Sequence, residues 1–348
     1  MQGDRRLLYA EPNFYGEAPE GGGRGIWAWA GNNPDPIGEQ YAADLLNLDV
    51  AHALNQGAGV VVAVLDTGVQ LDHPQLCTQW TTARYDFVDD DAIPTEDFAT
   101  LDRNQDGYVD ESAGHGTHVA GIVHFAAPEA QIMPLRVLDA TGRGNVFLIA
   151  EALLYAREQG VDVINLSLGT TGESQLLNEI IAETIADYDT VVVAAAGNLN
   201  SNVEMYPAAT EDVIAVSAVN QNRQRSSFAN YGPWVDIAAP GDRIGSAYPE
   251  NGYAYWSGTS MATPFVAAQA ALLRSHAPEL SAADVVECMR VTAQLGPNAL
   301  GAGVIDLAAS LQAVGVTCAL SVNPDGSAQD SDQALSSANR LFMPVVVR

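Results

Sequence analysis

The chain has 348 residues, 47% of them hydrophobic, with 43 Asp and Glu against 15 Lys and Arg and a formal net charge of −28. All 15 cations are Arg. Phosphate-backbone binding needs clustered cations, so nucleic acid is excluded as a partner, and without Lys there is no P-loop, Schiff-base or general-base lysine.

Residues 1–35 are rich in Gly, Pro and Glu and read as an irregular lead-in. The cluster Gly21-Gly22-Gly23-Arg24-Gly25 reads as a flexible segment rather than a nucleotide cradle. The start, MQGDRRLLYAEPNF, has two arginines with no apolar run behind them and does not read as a signal peptide. Val60–Asp66, VVVAVLD, is an unbroken apolar run suited to a parallel strand buried on both faces. Similar runs recur at Ile132–Val137, Val161–Leu166, Val191–Ala196 and Val213–Ala218. Helical spacing of apolar residues separates several of them, at Val146–Gln159 and Leu176–Asp187. Three more helices are predicted near Thr259–Ser275, Ser281–Met289 and Ile305–Val314. This alternation predicts an α/β domain over 36–315, with a mostly parallel sheet covered on both faces.

Residues 316–348 read as a polar, linker-like tail ending in the apolar LFMPVVVR. No run approaches 18 apolar residues, so no membrane span is expected. Cys77, Cys288 and Cys318 are too few for a disulfide framework or a zinc site. Cys288 and Cys318 either pair or remain buried thiols.

In an open α/β sheet, chemistry gathers at the carboxyl ends of the strands. Asp66 ends the first strand, in LDTGV, although an Asp-Thr-Gly alone is a common turn. In GHGTHVAGIV (114–123), small residues let a helix begin with His115 in its first turn. His118 lies three residues on, but nothing nearby completes a metal site, so it reads as a packed helix residue, as does His124. In GTSMATP (258–264), Ser260 falls where a loop becomes a helix, and Pro264 is tolerated in the first turns. A lone Ser there would be a cap. The order Asp, His, Ser across three strand ends is that of the subtilisin type of triad.

The chain resembles the subtilisin-like serine proteases, the subtilases, from roughly Asn32 to Val314. VVAVLDTGVQLDHPQL, GHGTHVAGIV, INLSLG, VVVAAAGN, SSFANYG, DIAAPG and GTSMATPFVAAQAALL occur in family order and spacing. The resemblance implies a three-layer α/β/α fold with a mostly parallel sheet. It also implies a serine endopeptidase in which Ser260 is the nucleophile, His115 the base and Asp66 its orienting carboxylate. Asn198 would donate to the oxyanion beside the Ser260 backbone N–H. In subtilisin itself that Asn is worth about 2.7–4 kcal/mol of transition-state stabilisation, a value inherited from the family. Polypeptide substrates would pair as a strand between Ser167-Leu168-Gly169 and Gly142-Arg143-Gly144. Met205 stands where many relatives have a small residue, which implies a shallower, apolar primary pocket. Phe265 replaces a His often found after the Pro of the serine motif.

Calcium is expected on the same grounds. The 26 residues from Asp86 to Glu111 hold ten carboxylates and one Arg, a density that calls for cations. DFVDDDAIP resembles a thermitase-like calcium loop, with Asp86, Asp89, Asp91 and the Ile93 carbonyl as ligands. A second pattern, Asp102, Asn104, Asp106, Tyr108 and Asp110, follows EF-hand spacing but has Ala113 where a bidentate Glu would sit. The loop that holds a strong calcium after the histidine helix in many relatives is shortened here.

The resemblance further implies a secreted monomer, with Leu7–Phe14 similar to the closing strand of an inhibitory prodomain; an intracellular enzyme starting at Met1 is the alternative. Three other functional readings remain open, one of them a calcium-binding interaction protein with an incidental triad, which would bind calcium without hydrolysis. A sedolisin-like acid peptidase would be most active near pH 4, and a catalytically inactive binding module would not react with fluorophosphonate.

Overall fold

The apolar run predicted at Val60–Asp66 forms an internal strand of a seven-stranded parallel sheet. The computed structural model describes residues 11–19, 26–31, 35–38, 40–97, 112–296, 300–316 and 318. In chain order the strands are β1 (Tyr15–Glu17), β2 (Ile26–Gly31), β3 (Val61–Asp66), β4 (Tyr85–Asp86), β5 (Gln131–Arg136) and β6 (Arg143–Asn145). They continue with β7 (Val163–Leu166), β8 (Val191–Ala195), β9 (Ile214–Val219), β10 (Ile237–Pro240), β11 (Ile244–Tyr248) and β12 (Gly252–Ser257). The helices are α1 (Asp35–Gly38), α2 (Tyr41–Leu45), α3 (Leu48–Leu54), α4 (His115–Ala126), α5 (Val146–Glu158), α6 (Gln175–Tyr188), α7 (Thr259–His276), α8 (Ala282–Thr292) and α9 (Leu307–Ala313).

The sheet order is β10-β9-β8-β7-β3-β5-β4. Side chains of β3 alternate between two cores, and both are dry. Val62 and Val64 pack in the core that includes residues of α4 and α7, whereas Ala63 and Leu65 pack in the one that includes residues of α5 and α6. A strand with no solvent-facing side has no use for alternation, which is why its sequence reads as a continuous apolar run. Helices on both faces give the three-layer α/β/α architecture. The chain moves from β3 to β5 on one side, then crosses back to β7 on the other. The carboxyl ends of β3 and β7 therefore flank a switch point, where such sheets bind ligands.

The lead-in is not irregular throughout. β2 pairs antiparallel with β12, and β1 pairs antiparallel with β6. β1 is three residues, Tyr-Gly-Glu, without a strand signature of its own, whereas β2 is six residues long. Their order comes from remote partners, which local pattern cannot reveal. Cys288 and Cys318 form a disulfide, and Cys77 is exposed as a free thiol. Among the described residues no helix is long and apolar enough to cross a membrane.

Candidate active site

Asp66 is the last residue of β3 and is buried. One of its oxygens, Oδ1, accepts from the Thr67 N–H at 2.7 Å and faces His115 Nδ1 at 2.7 Å. With the proton on Nδ1, Nε2 is the basic nitrogen of the ring. His115 is the first residue of α4, after Gly114 at φ 89°. The approach of α4 to the end of β3 is close enough to exclude any side chain at Gly116, where a Cβ would lie 2.1 Å from the Gly68 carbonyl oxygen. The indole of Trp256 packs edge-on against His115, with ring centroids 5.4 Å apart.

Ser260 is the second residue of α7 and lies beside Ser167, at the end of β7. Its Oγ donates to the Ser167 carbonyl at 3.3 Å, and Ser167 Oγ donates to the Ser260 carbonyl at 3.0 Å. Asn198 follows β8. Its Oδ1 accepts from the Thr259 N–H at 2.9 Å and from Thr259 Oγ1 at 3.0 Å, which makes the amide nitrogen the donor end. The sheet thus gathers Asp66, His115, Ser260 and Asn198 at neighbouring carboxyl ends.

His118 plays no part in this cluster. It is buried, with Nε2 near the carbonyls of Ile244 and Ala254 at 3.1 Å each, and burial lowers its pKa to about 3. Phe265 is a buried helix residue, as its position implies.

The two expected substrate edges are occupied by the chain itself. Tyr15, Gly16 and Glu17 pair with Asn145, Gly144 and Arg143. On the opposite side, Glu17 N donates to the Gly169 carbonyl at 3.0 Å and Gly169 N donates to the Glu17 carbonyl at 2.9 Å. Ala18 N donates to the Gly142 carbonyl at 2.8 Å. Arg143 Nε contacts Glu17 Oε1 at 3.1 Å, in an exposed pair. Leu168 is buried between the edge residues. Met205 is buried against this region: a Cβ on Gly197 would meet its Cγ at 2.9 Å, and one on Gly169 its Cε at 3.6 Å.

In the first expected calcium loop, Asp86 Oδ1 accepts from the Val88 and Asp89 N–H groups at 2.9 Å each. The Arg136 guanidinium reaches both Asp86 Oδ2 at 2.8 Å and Asp89 Oδ2 at 2.5 Å. Asp91 Oδ1 accepts from the Ile93 N–H at 2.7 Å, and the Ile93 carbonyl accepts from the Thr95 N–H at 2.6 Å. Among the described residues no group of three or more His, Cys, Asp or Glu is arranged to hold a metal. Asp102, Asn104, Asp106, Tyr108 and Asp110 lie outside the described residues.

Three contributors escaped the sequence reading. Thr259 orients Asn198, and Trp256 walls His115. Glu96 belongs by sequence to the acidic tract, yet it is buried beside Thr67 and Thr117. Nothing in its spacing separates it from its exposed neighbours.

A hydroxyl, an imidazole and a carboxylate at the carboxyl ends of a parallel sheet, with an amide donor beside them, define an acyl-transfer hydrolase of the serine type. Comparison with known proteins gives the family: residues 57–329 match the subtilase family, Peptidase_S8, and the chain belongs to it. Its class is accordingly that of the serine-type endopeptidases. A thermophilic serine proteinase from Bacillus sp. (strain AK1) is 41% identical over 279 residues, 77% of this chain and 63% of that protein. Thermitase from Thermoactinomyces vulgaris is 41% identical over 256 residues, 70% of this chain and 85% of thermitase. Among solved structures, a protease of Pseudoalteromonas arctica superposes with a TM-score of 0.70 at 31% identity, covering 77% of this chain and 94% of that one.

Gly116→Ala should fold poorly or lose activity, because its methyl must push α4 away from the β3 turn and stretch the Asp66–His115 contact. The overpacking cost is about 1–3 kcal/mol or more. Thermal melting and kcat on a peptide substrate check it, with kcat down at least about tenfold in whatever protein folds.

Proposed function

We propose that this subtilase cleaves polypeptides through Ser260, His115 and Asp66. The observation that supports it most is the buried 2.7 Å contact between Asp66 Oδ1 and His115 Nδ1, at the sheet edge that also carries Ser260. Ser260 Oγ attacks the peptide carbonyl carbon while its proton passes to His115 Nε2. Asp66 holds the ring's orientation and stabilises the imidazolium. The oxyanion accepts hydrogen bonds from the Asn198 amide nitrogen and the Ser260 backbone N–H. Collapse breaks the C–N bond, the amine leaves with the proton from His115, and water repeats the sequence on the acyl-enzyme.

Residues 11–19 are proposed to act as a bound, substrate-like strand, the end of an inhibitory segment. Support comes from their pairing with both edges and from Glu11, whose carboxylate takes the Ser174 hydroxyl and the Gln175 N–H at the start of α6. Continuing the antiparallel register from Glu17 opposite Gly169 would bring Pro19 opposite Ser167, whose carbonyl accepts from Ser260 Oγ. The bond after Pro19 would then be the one offered for cleavage. Met205 would floor a shallow, apolar primary pocket, and Arg143 would favour an acidic residue where Glu17 now lies.

Calcium is proposed as a structural ion on the acidic tract. The donors are hard oxygens, as calcium requires. Asp86 is the least suited, since three N–H donors already occupy its oxygens. Asp89, Asp91 and the Ile93 carbonyl retain lone pairs, and Arg136 offsets only part of the local charge. An extracellular location and a monomeric state complete the proposal; the Cys288–Cys318 disulfide supports the former, because such bonds persist in oxidising surroundings.

A fluorophosphonate should label wild type at Ser260 and leave Ser260→Ala unlabelled. N-terminal sequencing of wild type after incubation should read Glu20, while Ser260→Ala keeps residues 1–19. An unlabelled wild type, or equal residual cleavage by both proteins, would establish an inactive binding module. Activity peaking near pH 4 and gone at pH 8 would instead favour the acid-peptidase reading.

Asn198→Ala should lower kcat about 10²–10³-fold with little change in KM, as expected for a donor that acts on the transition state. Steady-state kinetics on a peptide anilide measure it.

EDTA should lower the melting temperature and speed self-digestion, because an ion that binds only the folded state stabilises it by mass action. An unmoved melting temperature sinks the calcium proposal.

A further inference from the structure

We propose that Glu96 is a positioning residue for the Asp66–His115 pair, clamping the turn after Asp66 to the first turn of the helix that carries His115; this rests on the triad reading above. Glu96 lies within the acidic tract, and its side chain is buried, 4% exposed. Its Oε1 accepts from Thr67 Oγ1 at 2.6 Å and from the Gly116 N–H at 3.1 Å. Its Oε2 accepts from Thr117 Oγ1 at 2.6 Å. Thr67 is the residue after Asp66, and Gly116 and Thr117 are the two after His115. One carboxylate therefore ties together the backbone on both sides of the Asp–His contact.

The hydrogen bookkeeping fixes the form that does this. Thr67 Oγ1 also accepts from the Gly116 N–H at 2.9 Å, and Thr117 Oγ1 from the Gln70 N–H at 2.8 Å. Each hydroxyl then has one hydrogen, and both are committed to Glu96. Both carboxylate oxygens are acceptors only, which the ionised group satisfies and a protonated or amide group cannot. A donor placed there turns one threonine away and loosens one side of the clamp.

The charges around it give the clamp an electrostatic side. Burial raises the Glu96 pKa most, its threonine hydrogen bonds pull it back, and the Asp66 charge adds to the rise, leaving about 7. Tyr248 faces it from the end of β11 and is pushed up to about 12, by burial first, then by the charges of Glu96 and Glu250. His115 shares the cluster through Asp66. Arg136 lies beyond Gly68, paired with Asp86 and Asp89. His118, one turn along α4 from His115, is neutral near pH 7. Above that pH the ionised Glu96 is a second anion next to Asp66, the carboxylate that faces the imidazole.

Glu96→Gln keeps the shape and turns one acceptor into a donor, while Glu96→Ala removes the clamp. In the full chain, fluorophosphonate titration counts competent Ser260 per molecule, so kinetics per titrated site separate chemistry from folding. We expect kcat to fall about tenfold in Glu96→Gln and further in Glu96→Ala, with KM within about twofold of wild type. The acid limb of kcat/KM should also move to lower pH by at least about 0.3 unit, because loss of a neighbouring anion makes the imidazolium easier to deprotonate. A normal kcat per titrated site, or a loss confined to KM with the limb unmoved, overturns the proposal. Should neither variant fold, Thr117→Val removes one hydroxyl from the same carboxylate and must lower kcat at constant KM; an unchanged kcat overturns the proposal equally. A wild type that does not label at Ser260 fails the triad reading and takes this inference with it. Labelled wild type with unaffected variants fails this inference alone.

Discussion

Two buried carboxylates, Asp66 and Glu96, lie on either side of Thr67, and the site depends on how the fold tolerates them. Moving a carboxylate out of water costs several kcal/mol unless donors replace the lost hydration. Here the donors come from the start of α4 and from hydroxyls that have no other hydrogen to give. The helix N-terminus is also the end with partial positive charge, which suits an anion. The same contacts that make the carboxylates tolerable hold His115 against Asp66. Stability and geometry are here one set of hydrogen bonds.

Recognition on the other side of the site uses the backbone. The edges at Gly142–Gly144 and Gly169 accept from and donate to residues 15–18 through main-chain groups, a pairing that does not depend on side-chain identity. Side chains add selectivity at the margins. Ala18 is buried near Gly142, where a Cβ on the glycine would sit 3.2 Å from it, whereas the Glu17–Arg143 pair is half exposed and worth about 0–1 kcal/mol. Shape therefore dominates charge in how residues 15–18 pair with these edges.

Much of this was legible in the sequence because it depends on local necessity. β3 and β7 to β9 are buried on both faces and read as apolar runs. Gly116 must be glycine because the Gly68 carbonyl leaves no room, and that necessity shows in GHGTH. The strands β1 and β2 were not legible, since their order is supplied by β6 and β12 far along the chain. Glu96 was hidden differently: in sequence it is one acid among ten, and only the fold turns it inward. Burial of a single charge in an acidic stretch leaves no periodic trace.

The chain on both sides of residues 20–25 is anchored, β1 in the cleft and β2 against β12. While the covalent link lasts, the occupying strand faces the cleft at an effective concentration on the order of millimolar, whatever the dilution of the protein. Cutting the link converts that to an ordinary bimolecular equilibrium, and the freed segment can then be diluted away. Before the cut, occupancy is a property of one molecule; afterwards it is a property of the solution, so the same protein would show activity that depends on its own concentration.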